Sequence, residues 1–165
     1  MNHIKNVFSF PNPVNEISSR LVAAMVLMLS VAAIVTGEPL LFAALAYGFV
    51  ARVATGPTLS PMGLLATRVI VPALGNPSRP VPGPPKRFAQ TVGLVFSVAA
   101  LLLLLLMETA GPAKAVVGVL AIFASLEAFV GFCAGCFAFS QMIRLGLIPQ
   151  SVCRECVVRP TAAVN

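Results

Sequence analysis

Four cysteines occupy the last fifth of the chain as two pairs of one spacing, Cys133-Ala134-Gly135-Cys136 and Cys153-Arg154-Glu155-Cys156. Two thiols three residues apart share a helix face, so each pair can cycle between dithiol and disulfide or carry sulfur. The separation between the pairs, Cys-x2-Cys-x16-Cys-x2-Cys, also falls within the range read as a four-thiolate zinc site. Gly146 and Pro149 can turn the chain back between them. The residues from Gly146 to Cys153 extend up to roughly 24 Å, more than the roughly 15 Å of helix to be retraced. A third reading needs no chemistry, because cysteine is small, soft and apolar and packs well between membrane helices. Gly131-x-x-x-Gly135 with Ala124, Ala128, Ala134 and Ala138 reads as such a close-packing surface.

Glu127 is the one carboxylate well inside an apolar run, and ionisable groups inside a membrane are functional candidates. On a straight helix from residue 115 it lies about 18 Å along, with Cys133 roughly 27 Å and Cys136 roughly 32 Å along. The cysteine pair then reaches the far edge of a hydrocarbon core about 30 Å thick. Glu127 stands about 120° from Cys133 and about 180° from Cys136 on the helix wheel, so it faces away from both. Ser30, Tyr47 and Ser97 are expected at similar depth. They would form a polar layer in which a neutral Glu127 is hydrogen-bonded, as structural glue or as a proton or ligand site. His3 is solitary, and no Ser-His-Asp set, phosphate-binding loop or carboxylate pair is present.

The elements that must position these residues are apolar. Hydrophobic residues make up 58% of the 165 and charged residues 10%, with a mean hydropathy of +0.96. A soluble domain carries roughly a quarter charged residues, so the lipid bilayer is the expected solvent. The reading is an all-α membrane protein with four transmembrane helices, at about 17–36, 39–54, 88–107 and 115–139. Residues 1–16 form a polar N-terminal segment, 17–145 the four-span helical domain, and 146–165 a tail with its Cys-x-x-Cys. The first apolar run is read as a retained anchor. Gly37-Glu38 and residues 109–114, with Gly111-Pro112, are expected hairpins. In the loop 55–87, Ser60 and Pro61 cap and start a short interfacial or re-entrant helix through Val71. The Pro-rich stretch 76–85 is expected to be extended.

The net charge of +6 comes from basic residues without interleaved aromatics, so nucleic acid is not an expected partner. These residues orient the chain instead. Lys5, Arg20, Arg52, Arg68, Arg79, Lys86, Arg87, Arg144, Arg154 and Arg159 all fall on one side, and Lys114 alone on the other. The positive-inside rule puts both termini and the long loop in the cytoplasm. Structural disulfides seldom persist there, which favours thiol chemistry or metal binding over a structural bridge.

Four stretches together resemble a known family: Asn12-Pro13-Val14-Asn15, Ser60-Pro61-Met62-Gly63-Leu64-Leu65, Pro84-Pro85-Lys86-Arg87-Phe88-Ala89-Gln90, and Gly131-Phe132-Cys133-Ala134-Gly135-Cys136. Over residues 12 to 145 the chain is similar to small bacterial integral membrane proteins defined as domain of unknown function 4395. The resemblance implies a multi-span protein of the bacterial plasma (inner) membrane and supplies no activity. Cys153 and Cys156 lie outside the family pattern. A looser resemblance is to vitamin K epoxide reductase-like enzymes, small bundles whose membrane-edge Cys-x-x-Cys works with quinones. This chain departs from them in its cytoplasmic pair and in having no outer-loop cysteine pair.

Three functions follow as expectations. The first is a thiol-disulfide or sulfur-handling membrane protein. It would use Cys133 and Cys136, with Cys153 and Cys156 as relay to a thioredoxin-like or sulfurtransferase partner. The second is a non-enzymatic membrane subunit or scaffold, its four cysteines packing or holding zinc. The third is a small homo-oligomeric transporter using Glu127. Whether the chain is an enzyme, and whether it takes zinc or no cofactor, stays open at this point.

Overall fold

Asn15 starts the first long helix. Its Oδ1 accepts from Ile17 N–H at 3.1 Å, and Glu16 follows in the first turn, where a carboxylate complements the helix dipole. The helix, α1, covers Glu16–Thr36 and ends at Gly37 in a left-handed conformation, with its N–H on Ala33 O at 2.9 Å. Pro39 opens α2, Pro39–Thr55, at a position whose missing N–H has no helical partner to lose. The expected capping at Ser60 is present: its Oγ accepts from Gly63 N–H at 3.3 Å and starts α3, Pro61–Ala73. Within α3, Leu65–Ile70 widens into a π-helical stretch that leads to Pro72, which has no N–H for the preceding turn. The computed structural model describes residues 10–107 and 110–153. Residues 1–9, part of the expected hairpin at 109–114, and the tail from 154 with Cys156 lie outside them.

The Pro-rich stretch is shorter than expected. Gly83-Pro84-Pro85 already belongs to α4, Gly83–Leu106, because proline presets the first-turn dihedrals. Before it, β1 (Val14–Asn15) and β2 (Pro80–Val81) pair antiparallel, Val14 with Val81. Asn15 Nδ2 donates to Pro77 O at 2.9 Å, and Gly83 N–H donates to Asn12 Oδ1 at 3.0 Å. The Asn-Pro-Val-Asn stretch thus ties the N-terminal segment to the start of α4.

The last apolar run departs most from expectation. A single helix through Phe139 was expected. The chain instead forms α5, Gly111–Val130, whose last turn Leu126–Val130 is π-helical. It leaves the helix at Gly131 and begins a new one, α6, Ala134–Arg144.

Three of these helices, α1, α4 and α5, are long and apolar enough to cross a membrane; α2 is shorter at 17 residues. The shared core is built of Phe42, Leu45 and Val117 with small residues such as Ala33, Ala100 and Ala113, which let helix axes approach closely. Outward-facing side chains are apolar too, among them Met28, Val35, Leu105 and Leu106. A contiguous apolar exterior of this kind suits contact with lipid.

Candidate functional site

The start of α1, the ends of α2 and α5, and the start of α4 meet at one end of the bundle, where α6 also sits. Arg20 on α1 reaches the end of α5. Its Nε and Nη2 donate to Ala128 O at 3.3 and 3.2 Å, and Nη2 donates to Phe129 O at 2.9 Å. Those carbonyls have no continuing helix to accept from, so a guanidinium supplies the donors. Gly131, with φ of 75°, makes the turn that follows, a conformation that costs a residue with a Cβ.

The turn delivers Cys133 in an extended conformation to the start of α6. There its Sγ accepts from Cys136 N–H at 3.3 Å. Cys133 and Cys136 form a disulfide, with Cα atoms 5.2 Å apart. Between them, Gly135 is pressed on α4: a Cβ there would fall 2.6 Å from the Ala89 Cβ. The two glycines expected to share one packing face are therefore divided, Gly131 serving the turn and Gly135 the contact.

One turn before Ala89, Lys86 projects toward α5. Its Nζ donates to Glu127 Oε1 at 2.6 Å, and the two side chains are 9% and 16% exposed. Glu127 is therefore joined to a cation rather than to the polar layer of Ser30, Tyr47 and Ser97. Ser30 and Ser97 are buried elsewhere, Ser97 donating to its own helix at Leu94 O, and Tyr47 is exposed. The expectation that Glu127 faces away from the cysteines assumed an unbroken helix. With the chain turned at Gly131, Glu127 and Cys133 border one cavity.

That cavity, of about 260 Å³, is chiefly apolar, with Phe49, Phe96, Leu120 and Phe123 in its wall beside Glu127 and Cys133. A second, of about 360 Å³, is bordered by Glu16, Lys86, Phe132, Cys133, Cys136 and Ser140. Cys133 borders both, and Cys136 borders the second, where the charged side chains of Glu16 and Lys86 also reach the wall. Both half-cystines are half-buried.

Cys153 also belongs to a disulfide and is buried against Phe139 and Ile143 of α6. The chain turns back at Gly146, φ 74°, to bring it there. Cys156 lies outside the described residues. Among the described residues, no three of His, Cys, Asp and Glu gather as metal ligands.

The segment that carries this arrangement, residues 14–144, matches one family, Domain of unknown function (DUF4395). The chain belongs to that family. The DUF4395 segment starts at β1 and ends with the last residue of α6. It holds Arg20, Lys86, Glu127, Cys133 and Cys136 and leaves out Cys153 and Cys156. No curated protein and no solved structure matches the chain.

Sequence reasoning singled out Cys133, Cys136 and Glu127, which the fold brings to one place. It missed Lys86, read only as an orienting charge, and Arg20, read the same way. The one signal for Lys86 was its place in Pro84-Pro85-Lys86-Arg87-Phe88-Ala89-Gln90, where a cation follows two helix-starting prolines.

Proposed function

We propose that this DUF4395 protein is a multi-pass membrane protein with a thiol-disulfide centre at Cys133 and Cys136 on its cytoplasmic side. The observation that carries the reading is the disulfide itself, half-buried at the meeting of the helix ends, with Cys133 bordering two cavities and Cys136 one of them. Four spans, α1, α2, α4 and α5, would run up and down with both termini inside. The arrangement is supported by the meeting of alternate helix ends and by Lys114, which approaches Gly37 at the opposite end. The basic residues crowd the disulfide end, which under the positive-inside rule is the cytoplasmic one. In a bacterial plasma membrane a disulfide on that face is the transient, catalytic or redox-sensing kind.

The chemistry is exchange. A thiolate of a cytoplasmic thioredoxin-like dithiol attacks one sulfur of the Cys133–Cys136 bond, which breaks as a mixed disulfide forms. The second partner thiolate then attacks the mixed disulfide. The partner leaves as a disulfide, and Cys133 and Cys136 remain as thiols after taking up two protons. Reversal oxidises the pair at the partner's expense. The Cys136 N–H and the positive end of α6 favour negative charge on the Cys133 sulfur.

Differential alkylation of purified protein across a series of glutathione redox buffers tests this. Thiol labelling at Cys133 and Cys136 that switches together, reversibly, with two electrons supports the centre. A pair that stays unlabelled, or labelled, through the whole buffer range overturns it.

A structural use of the same bond is favoured by one observation, the tight contact of Gly135 on Ala89. A non-enzymatic subunit whose disulfide locks α6 against α4 would lose thermal stability on reduction and would show no exchange with a thioredoxin-like dithiol.

A further inference from the structure

Arg52 lies near the end of α2 and is 4% exposed. Its Nε donates to Gln90 Oε1 at 2.9 Å, Nη1 lies 3.5 Å from Ser60 Oγ and 3.7 Å from Met62 Sδ, and the guanidinium stands 4.4 Å from the Phe49 ring centre. None of these partners carries a negative charge. Among the described residues nothing accepts from Nη2, although it is buried.

The charges around it do not cancel. Three cations sit at this end of the bundle in or against the packed interior: Arg20, Arg52 and Lys86. Two carboxylates accompany them. Glu127 is held by Lys86. Glu16 stands with Arg20 beside Gly131, their side chains 3.4 and 3.5 Å from where its Cβ would be. Arg52 is left over. A buried charge is retained when it is paired, and a buried donor when it is hydrogen-bonded; the Arg52 charge has no carboxylate bonded to it, and its Nη2 has no acceptor among the described residues.

Arg52 and Lys86 line the same small cavity, about 50 Å³, with Ser18, Thr67 and Gln90 also in its wall. The space is several times the roughly 10–15 Å³ that holds one water. Water could satisfy Nη2 but not its charge. A guanidinium presents a rigid fork that matches the paired oxygens of a carboxylate, phosphate or sulfate. Lys86 keeps two donors after its bond to Glu127.

We propose that the cavity beside Arg52 binds a small oxyanion of the phosphate or sulfate type, held by the Arg52 guanidinium and the Lys86 ammonium. The inference stands apart from the dithiol centre: it rests on Arg52 and would survive the loss of any redox role. The same chemistry is offered by a free anion or by the headgroup of an acidic phospholipid.

The full chain, purified in detergent, is melted by far-UV circular dichroism against sodium phosphate, sodium sulfate or sodium chloride at matched ionic strength. A parallel sample extracted from membranes is examined by native mass spectrometry for retained phosphatidylglycerol. Binding to the folded state raises the melting temperature in a saturable way. A saturable rise with phosphate or sulfate but not chloride, lost in Arg52→Gln, supports a free anion. Retained phosphatidylglycerol in the parent that Arg52→Gln loses supports a headgroup. Arg52→Lys keeps the charge and loses the fork, so it serves if Arg52→Gln does not fold. Tenfold weaker half-saturation, or loss of the retained lipid, is its expected result. The proposal is overturned if the parent shows neither a saturable oxyanion response nor retained phosphatidylglycerol. It is overturned equally if the substituted chains behave like the parent, or if chloride matches phosphate and sulfate with no lipid retained.

Discussion

Lys86 Nζ and Glu127 Oε1 meet at 2.6 Å across the interface of α4 and α5. The pair joins the residue three before Ala89, on which α6 is seated, to the widened turn that ends α5. Removing one member leaves the other charge buried, at a cost of about 3–5 kcal/mol, whereas replacing both with apolar residues is close to neutral. Lys86→Met and Glu127→Leu should each lower stability by that order, and the double substitution should recover most of the loss. A double-mutant cycle from unfolding in detergent measures it; additive losses would show that the two side chains are not coupled.

Arg20 should matter more to the local opening of α5 than to the bundle as a whole. Arg20→Met removes charge-assisted bonds to Ala128 O and Phe129 O. The expected loss is about 1.5–3 kcal/mol. Hydrogen exchange should accelerate at the Gly131 and Phe132 amides, which close the widened turn onto Glu127 O and Leu126 O, while the middle of α1 stays protected. Uniform acceleration across α1 and α5 would refute a local clamp.

Gly135 leaves α6 no room for a side chain against Ala89, where a Cβ would sit 2.6 Å from the Ala89 Cβ and 2.7 Å from its Cα. Gly135→Val should destabilise by about 1–3 kcal/mol, the usual scale of overpacking. Ala89→Gly in the same chain should restore part of the loss. Melting temperatures of the three variants decide this, and no rescue would place the strain elsewhere.

Cys133 should be the more reactive sulfur of the reduced pair. It accepts the Cys136 N–H at the positive end of α6, an arrangement that stabilises a thiolate. Cys133 in a Cys136→Ser chain should alkylate several-fold faster at neutral pH than Cys136 in a Cys133→Ser chain. Equal rates, followed by mass spectrometry with timed quenching, would remove that assignment.

The helices were legible because their signals are local. Ser60, Pro61 and Gly37 cap, start or stop elements through their own neighbours. The break after Val130 was not, since Leu126-Glu127-Ala128-Phe129-Val130 is compatible with a continuing apolar helix. What holds it open is Arg20, 108 residues away from Ala128. The site failed at the same point. A helix wheel drawn through residue 136 turned Glu127 away from Cys133, and only the bend brings them to one cavity. Lys86 and Arg52 were hidden for another reason. In an apolar chain a basic residue reads first as an orientation signal, and burial beside a carboxylate or a cavity is a property of packing that no window of sequence carries.

The reach of Arg20 also has a bearing on how the chain is made. The guanidinium leaves the ribosome more than a hundred residues ahead of the carbonyls it will hold. Throughout the interval it has no peptide acceptor at that end of α5, because α5 does not yet exist. The end of α5 thus receives its shape from α1. A chain cut between α2 and α4 could regain the bend only if both fragments were synthesised into the same membrane.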